Sequence, residues 1–190
     1  MAVMLVSPTR AAAEWQIKPF VGLTFGGGTT FVDLDFAVGT ANRSFGVAGL
    51  FLGEVIGIEG DLGFGPGFFQ SGEQGKILRS GVRTLMGNFI IALPRRMAEF
   101  TLRPYFVAGM GAMHVEFIDR LPQPAFDVSE TLTAIDIGGG ATGFISDHVG
   151  VSWDLRHFRG IGGEASGSTN LGAKERLSFW RANMALAIRF

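Results

Sequence analysis

The apolar residues of this 190-residue chain alternate with polar or small residues in pieces of about ten, and that period of two leaves few architectures open. Trp15, Ile17, Pro19, Val21, Leu23 and Phe25 share one face of an extended segment, while Gln16, Lys18, Phe20, Gly22 and Thr24 share the other. Hydrophobic residues make up 47% of the chain. Yet the longest apolar runs, 89–93 and (counting glycines) 106–113, fall well short of the ~20 residues that a membrane-spanning helix needs. Only helices and closed barrels satisfy their own backbone groups in lipid. A greasy chain built from alternating segments is therefore expected to be a membrane barrel.

Eight such segments are expected, at about 15–25, 43–52, 55–64, 80–93, 102–118, 131–145, 149–156 and 178–190. In the third, Ile56, Ile58, Leu62 and Phe64 stand opposite Glu59 and Asp61. In the fourth, Leu85, Phe89, Ile91 and Leu93 oppose Thr84 and Asn88. The fifth is read with Tyr105, Val107, Met113, Val115 and Phe117 opposite His114 and Glu116. Ile135 and Ile137 flank Asp136 in the sixth, and Val149, Val151, Trp153 and Leu155 oppose Ser152, Asp154 and Arg156 in the seventh. The eighth sets Trp180, Ala182, Met184, Leu186, Ile188 and Phe190 against Arg181, Asn183 and Arg189. The second is too rich in glycine to phase. Long connections (26–42, 65–79, 119–130 and 159–177) alternate with short ones near Gly53, 94–101 and Ser146, as in an up-and-down barrel with long loops at one end. The expected fold is all-β: a closed antiparallel up-and-down eight-stranded transmembrane β-barrel, one domain over 14–190.

Alternation alone does not say which face looks outward. A soluble barrel would bury the apolar face, whereas a membrane barrel inverts it. Aromatic residues close to the ends of the apolar faces (Trp15 and Phe25, Tyr105 and Phe117, Trp180 and Phe190) favour inversion, as girdles at the two interfaces of a tilted strand of ~9–11 residues. The polar face is sparse and nearly balanced: Glu59, Asp61, Glu116, Asp136 and Asp154 against Lys18, Arg156, Arg181 and Arg189. That suits a narrow lumen in which each charge needs a partner. Charged residues are 17% of the chain, below the ~25% of ordinary soluble domains.

The first thirteen residues read as the remnant of a signal peptide, with Ala11–Ala13 as the small residues before the cut. A net charge of −1 and no Lys/Arg run longer than Arg95-Arg96 argue against a nucleic-acid partner. Without cysteine there is no disulfide framework and no thiol nucleophile.

The C-terminal run, from Phe179 through Trp180, Met184, Leu186 and Ile188 to Phe190, resembles the last strand of bacterial outer-membrane barrels, in which a final aromatic acts as the assembly signal. The stretches 59–69, 84–89, 103–109 and 147–156 are similar to segments of the small porin-like outer-membrane β-barrel domain group, related in architecture to OmpA and OmpX. The resemblance implies Gram-negative export, an outer-membrane location, periplasmic chaperones and the barrel-assembly machinery as partners in biogenesis, and contact with outer-membrane lipid and lipopolysaccharide. It says little about activity.

No catalytic, cofactor or metal site is expected. Glu59 and Asp61 lie on one face at a spacing that would serve acid/base work, but an interior ion-pair network with Arg156, Arg181 or Arg189 is the simpler reading. His114, His148 and His157 have no metal-ligand spacing, and His157 and Ser152 fall on opposite faces. The glycine-rich matches at 26–28 and 160–165 lack the strand–helix context of a phosphate site. The expected function is a structural or surface-interaction protein, not an enzyme, with its lumen filled by side chains. The alternatives are a narrow channel or hydrophobic-solute conduit, with Phe20, Phe106 and Met110 pointing inward, a rim enzyme acting on lipid A, and a soluble ligand-binding barrel.

Overall fold

A computed structural model describes residues 13–29, 41–67, 77–97, 102–119, 128–162 and 177–190; the leader-like stretch 1–12 and the middles of the long connections lie outside them. Eight strands follow one another: β1 (Glu14–Thr29), β2 (Asn42–Leu52), β3 (Ile56–Pro66), β4 (Ile77–Ala92), β5 (Leu102–Asp119), β6 (Val128–Phe144), β7 (Val149–Gly162) and β8 (Leu177–Arg189). A 3-10 turn, Arg95–Met97, sits between β4 and β5. Each strand pairs antiparallel with the next, and β8 pairs with β1 to close the barrel. The Phe190 N–H donates to the Trp15 carbonyl at 2.9 Å, which seals the seam at one end. Closure removes every sheet edge, so no row of backbone donors and acceptors is left unpaired.

The seam contains one irregularity. Between Phe25 and Gly28 the β1–β8 register gains one residue on β1, and Gly26 there has a φ of 61°. That left-handed conformation is costly for any residue with a Cβ, so glycine fits the bulge. The described residues of the short connections, 53–55, 93–97 and 145–148, lie at the same end of the barrel as Glu14 and Phe190, the turn end. The strand ends Thr29, Asn42, Pro66, Ile77, Asp119, Val128, Gly162 and Leu177 form the opposite, loop end.

The alternation maps onto two very different surfaces. Val21, Met184 and Leu85 are at least 60% exposed on the exterior, whereas Lys18, Asp61 and Arg181 are 2% exposed or less. The two largest fully buried side chains are both arginines, Arg156 and Arg181. Soluble proteins almost never bury such groups and leave rows of Leu, Ile and Phe outside. This barrel is inverted, with an apolar wall and a polar interior, as in membrane barrels. The soluble arrangement expected of a periplasmic ligand-binding barrel is the reverse of it. No helix among the described residues is long and apolar enough to cross a membrane.

One strand departs from its expected phase. In β5 the inward side chains are Arg103, Tyr105, Val107, Met113 and Val115, while Phe106 and Met110 face out at 48% and 63% exposure. Tyr105 is therefore a lumen residue rather than part of an aromatic girdle, and Glu116 faces outward rather than into the lumen. Phe106 and Met110 do not make the lumen apolar. The reason is that β5 packs an apolar cluster inside the barrel as well as an apolar wall outside, so hydrophobicity no longer separates its two faces.

Candidate functional site: the lumen and its two ends

The inward faces stack in layers along the axis. Nearest the loop end, Val82, Met86, Met113, Val115, Leu132, Ala134, Phe158, Leu177 and Phe179 form a buried apolar cluster contributed by β4 to β8. The rings of Phe158 and Phe179, on neighbouring strands, stack with centroids 5.1 Å apart and planes 10° apart. Glycines on the inward face make room for large neighbours. At Gly46 a Cβ would come within 2.5 Å of Phe20 Cζ, and at Gly63 it would collide with the Arg181 guanidinium.

Below this cluster lies a layer of charge. Lys18 Nζ sits 2.7 Å from Glu59 Oε2, and Arg156 Nη1 sits 2.8 Å from Glu59 Oε1. Arg156 also donates from Nε and Nη2 to the two oxygens of Asp154, at 3.2 and 3.1 Å, the fork-on-carboxylate geometry that suits a guanidinium. Asp61 and Asp136 each lie 3.8 Å from Arg156 Nη1. Arg181 Nη2 donates to Asp61 at 2.7 Å, and its guanidinium lies between the rings of Phe20 and Phe158, 4.8 and 4.5 Å from their centroids. Polar side chains complete the layer. Asn88 donates to Glu59, Asn183 and Tyr105 donate to Asp154, and Thr84 accepts from Arg181. Charges in so dry a place persist only when paired and hydrogen-bonded.

Of the residues expected in the network, the structure brings together Lys18, Glu59, Asp61, Asp136, Asp154, Arg156 and Arg181. Arg189 is at the turn end instead, where its Nη1 lies 3.3 Å from Glu14. Glu116 lies on the outer face near the loop end, 3.4 Å from Arg83 and 3.2 Å from His114 Nε2. His114 Nδ1 is in turn 2.9 Å from Thr131 Oγ1. Trp15, Phe25, Trp180, Met184, Leu186 and Phe190 face outward, with Ile188 partly covered. The Phe117 side chain lies outside the described ones. His157 faces outward against Trp180, with ring centroids 4.9 Å apart, whereas Ser152 is buried.

Sequence reasoning did not find the charged cluster at the turn end. Glu14 pairs with Arg95, Arg103 and Arg189 and accepts a hydrogen bond from Gln16. Arg103 also donates to the carbonyls of Gly53, Glu54 and Leu93, tying two of the short turns to the barrel wall. The signal was available, because Glu14 shares the inward parity of Gln16 and Lys18.

Eight strands closed in sequence order, an apolar wall and an ion-paired lumen define a class: this is the fold of the small eight-stranded outer-membrane barrels. Solved structures of that kind superpose over nearly the whole chain. Neisserial surface protein A aligns with a TM-score of 0.63 at 10% identity, covering 93% of this chain and 97% of that one. The attachment invasion locus protein Ail of Yersinia pestis aligns at 0.55 and 14% identity, covering 94% and 99%. Outer Membrane Protein W of E. coli aligns at 0.54 and 16% identity, covering 96% and 100%. No family model matches the chain, and no curated protein matches it in sequence.

Proposed function

We propose that this chain is a bacterial outer-membrane barrel that passes no solute through its lumen and acts at the surface, through the long connections of its loop end. The observation that carries this reading is the buried apolar cluster around Phe158 and Phe179, set directly over the charged layer. Eight strands enclose a space that side chains alone can fill. Here they fill it twice, first with hydrocarbon and then with paired charge. An ion entering from the loop end would shed its hydration among Leu132, Met113 and Phe179 before reaching a carboxylate.

The wall is suited to hydrocarbon, and the strand ends that the long connections join share one rim. That arrangement supports a non-enzymatic role in contact with lipopolysaccharide or other surface partners, after export with periplasmic chaperones and insertion by the barrel-assembly machinery. Two structural neighbours carry names of the same kind, a surface protein and an attachment invasion protein. Two measurements test the reading. Cell fractionation with boiled and unboiled gel mobility is expected to give a heat-modifiable band in the outer membrane. Planar-bilayer recording of the purified barrel is expected to give no discrete openings. Steady single-channel steps would favour the narrow-channel alternative, and recovery in the soluble periplasm would reject both.

A further inference from the structure

The exterior of β2 to β4 has a gap in its side chains. Register places Gly49 beside Gly60 and Gly60 beside Gly87, so three adjacent strands present bare backbone at one level of the wall. A Cβ built on Gly49 or Gly60 would meet nothing within 4 Å, so no neighbour demands glycine there. One row nearer the turn end, Phe51, Ile58 and Phe89 stand side by side, and Trp15 packs on Phe51 with ring centroids 4.8 Å apart. Met110 closes the glycine row on β5. Together they shape a groove of about 730 Å³, within the ~300–1,000 Å³ of ligand pockets.

We infer that this groove seats one acyl chain of a glycerophospholipid from the leaflet on the turn side. The inference rests on the membrane reading above and goes beyond it by naming a lipid site on the wall. The groove is continuous with the apolar exterior. Glu59 and Asn88 also border it, but they turn inward and bond to each other at 3.2 Å, so no charged group opens onto it. A headgroup has nothing to hold there, whereas a hydrocarbon chain gains dispersion contacts along three bare strands and a bank of rings. A second barrel is the weaker occupant. Three strands at ~4.8 Å spacing span only ~14 Å, and such a notch offers far less than the ~800 Å² per partner of a stable interface. Trp15, the second residue of β1, places the groove in the turn-side half of the wall.

Brominated lipids test the site, because bromine on an acyl chain quenches a tryptophan it touches. The full chain is refolded into dioleoylphosphatidylcholine vesicles containing rising fractions of the dibrominated lipid. Trp15 is read alone in a Trp153→Phe, Trp180→Phe background, and Trp153 alone in a Trp15→Phe, Trp180→Phe background. Trp15 quenching is expected to saturate at a lower bromolipid fraction than Trp153 quenching. Gly60→Leu, which fills the groove, is expected to bring the Trp15 curve onto that of Trp153, and Gly49→Leu gives a second variant should the first fail to show the heat-modifiable folded band. Superimposed curves before substitution, or a Trp15 curve that both leucine variants leave unchanged, overturn the lipid site alone. Absence of quenching at both tryptophans overturns the membrane reading and the lipid site together.

Discussion

Arg156 Nη1 lies 2.8 Å from Glu59 Oε1 across the lumen, although β7 and β3 share no ladder hydrogen bonds. This contact ties opposite walls of the barrel, and Lys18 shares the same carboxylate. Removing one partner leaves the others buried and uncompensated, which typically costs about 3–5 kcal/mol. Arg156→Met and Glu59→Gln are each expected to lower the unfolding free energy of the barrel, read by urea titration in lipid vesicles, by an amount of that order. The double variant is expected to lose less than the sum of the two, because both act on one network. Additive losses would mean that the two groups contribute independently.

The exterior makes the opposite demand. Met184 is 61% exposed in the middle of β8, beside Val21 and Trp153 on the neighbouring strands. Met184→Arg would place a guanidinium against hydrocarbon near the midplane, at a cost of about 2–4 kcal/mol. Vesicle refolding followed by urea titration reads that loss. A change well under 1 kcal/mol would mean that this face meets water.

The inverted barrel was legible in the sequence wherever a strand keeps charge on one face and hydrocarbon on the other, as with Lys18 against Ile17 and Pro19, or Asp154 and Arg156 against Trp153 and Leu155. It was not legible in β5. There Val107, Met113 and Val115 fill the lumen while Phe106 and Met110 meet the outside, so apolar character marks neither face. The polar pair His114 and Glu116 added to the error. β5 has 18 residues, more than the ~9–11 that cross hydrocarbon, and its loop-end part extends past the apolar belt, where an outward carboxylate is tolerated. Arg103 held the correct phase, since it shares parity with Tyr105 and not with Glu116. In β2, Ala48, Leu50 and Leu52 face inward while Phe45 and Val47 face outward, which obscured the alternation for the same reason.

The stacked pair Phe158 and Phe179 separates two properties that usually change together. Each ring is fully buried, and truncation of such a ring typically costs about 3–5 kcal/mol. Phe179→Ala is expected to lower the unfolding midpoint accordingly. With Phe158→Ala added, the layer above Arg181 loses both rings, and planar-bilayer recording is expected to show brief openings absent from the parent. A double variant that folds and stays silent would place the barrier to ions in the charged layer or at the Glu14 cluster instead.

The terminal aromatic allows a distinction between folding and assembly. Phe190 is 73% exposed, and its fixed tie to the barrel is the backbone bond from its N–H to the Trp15 carbonyl, which any residue at this position would keep. Phe190→Ala is therefore expected to leave the refolded barrel within about 0.5 kcal/mol of the parent, as for a surface change away from the core. Trp180, Met184 and Leu186 on β8, with Phe190 just past its end, nevertheless form one outward stripe, the pattern expected of an assembly signal. If that stripe is recognised during insertion, Phe190→Ala lowers the heat-modifiable band in outer membranes of expressing cells while refolding from urea into vesicles is unchanged. Equal losses in both assays would assign the ring a role in the finished barrel, and no loss in either would leave the stripe without a part in assembly.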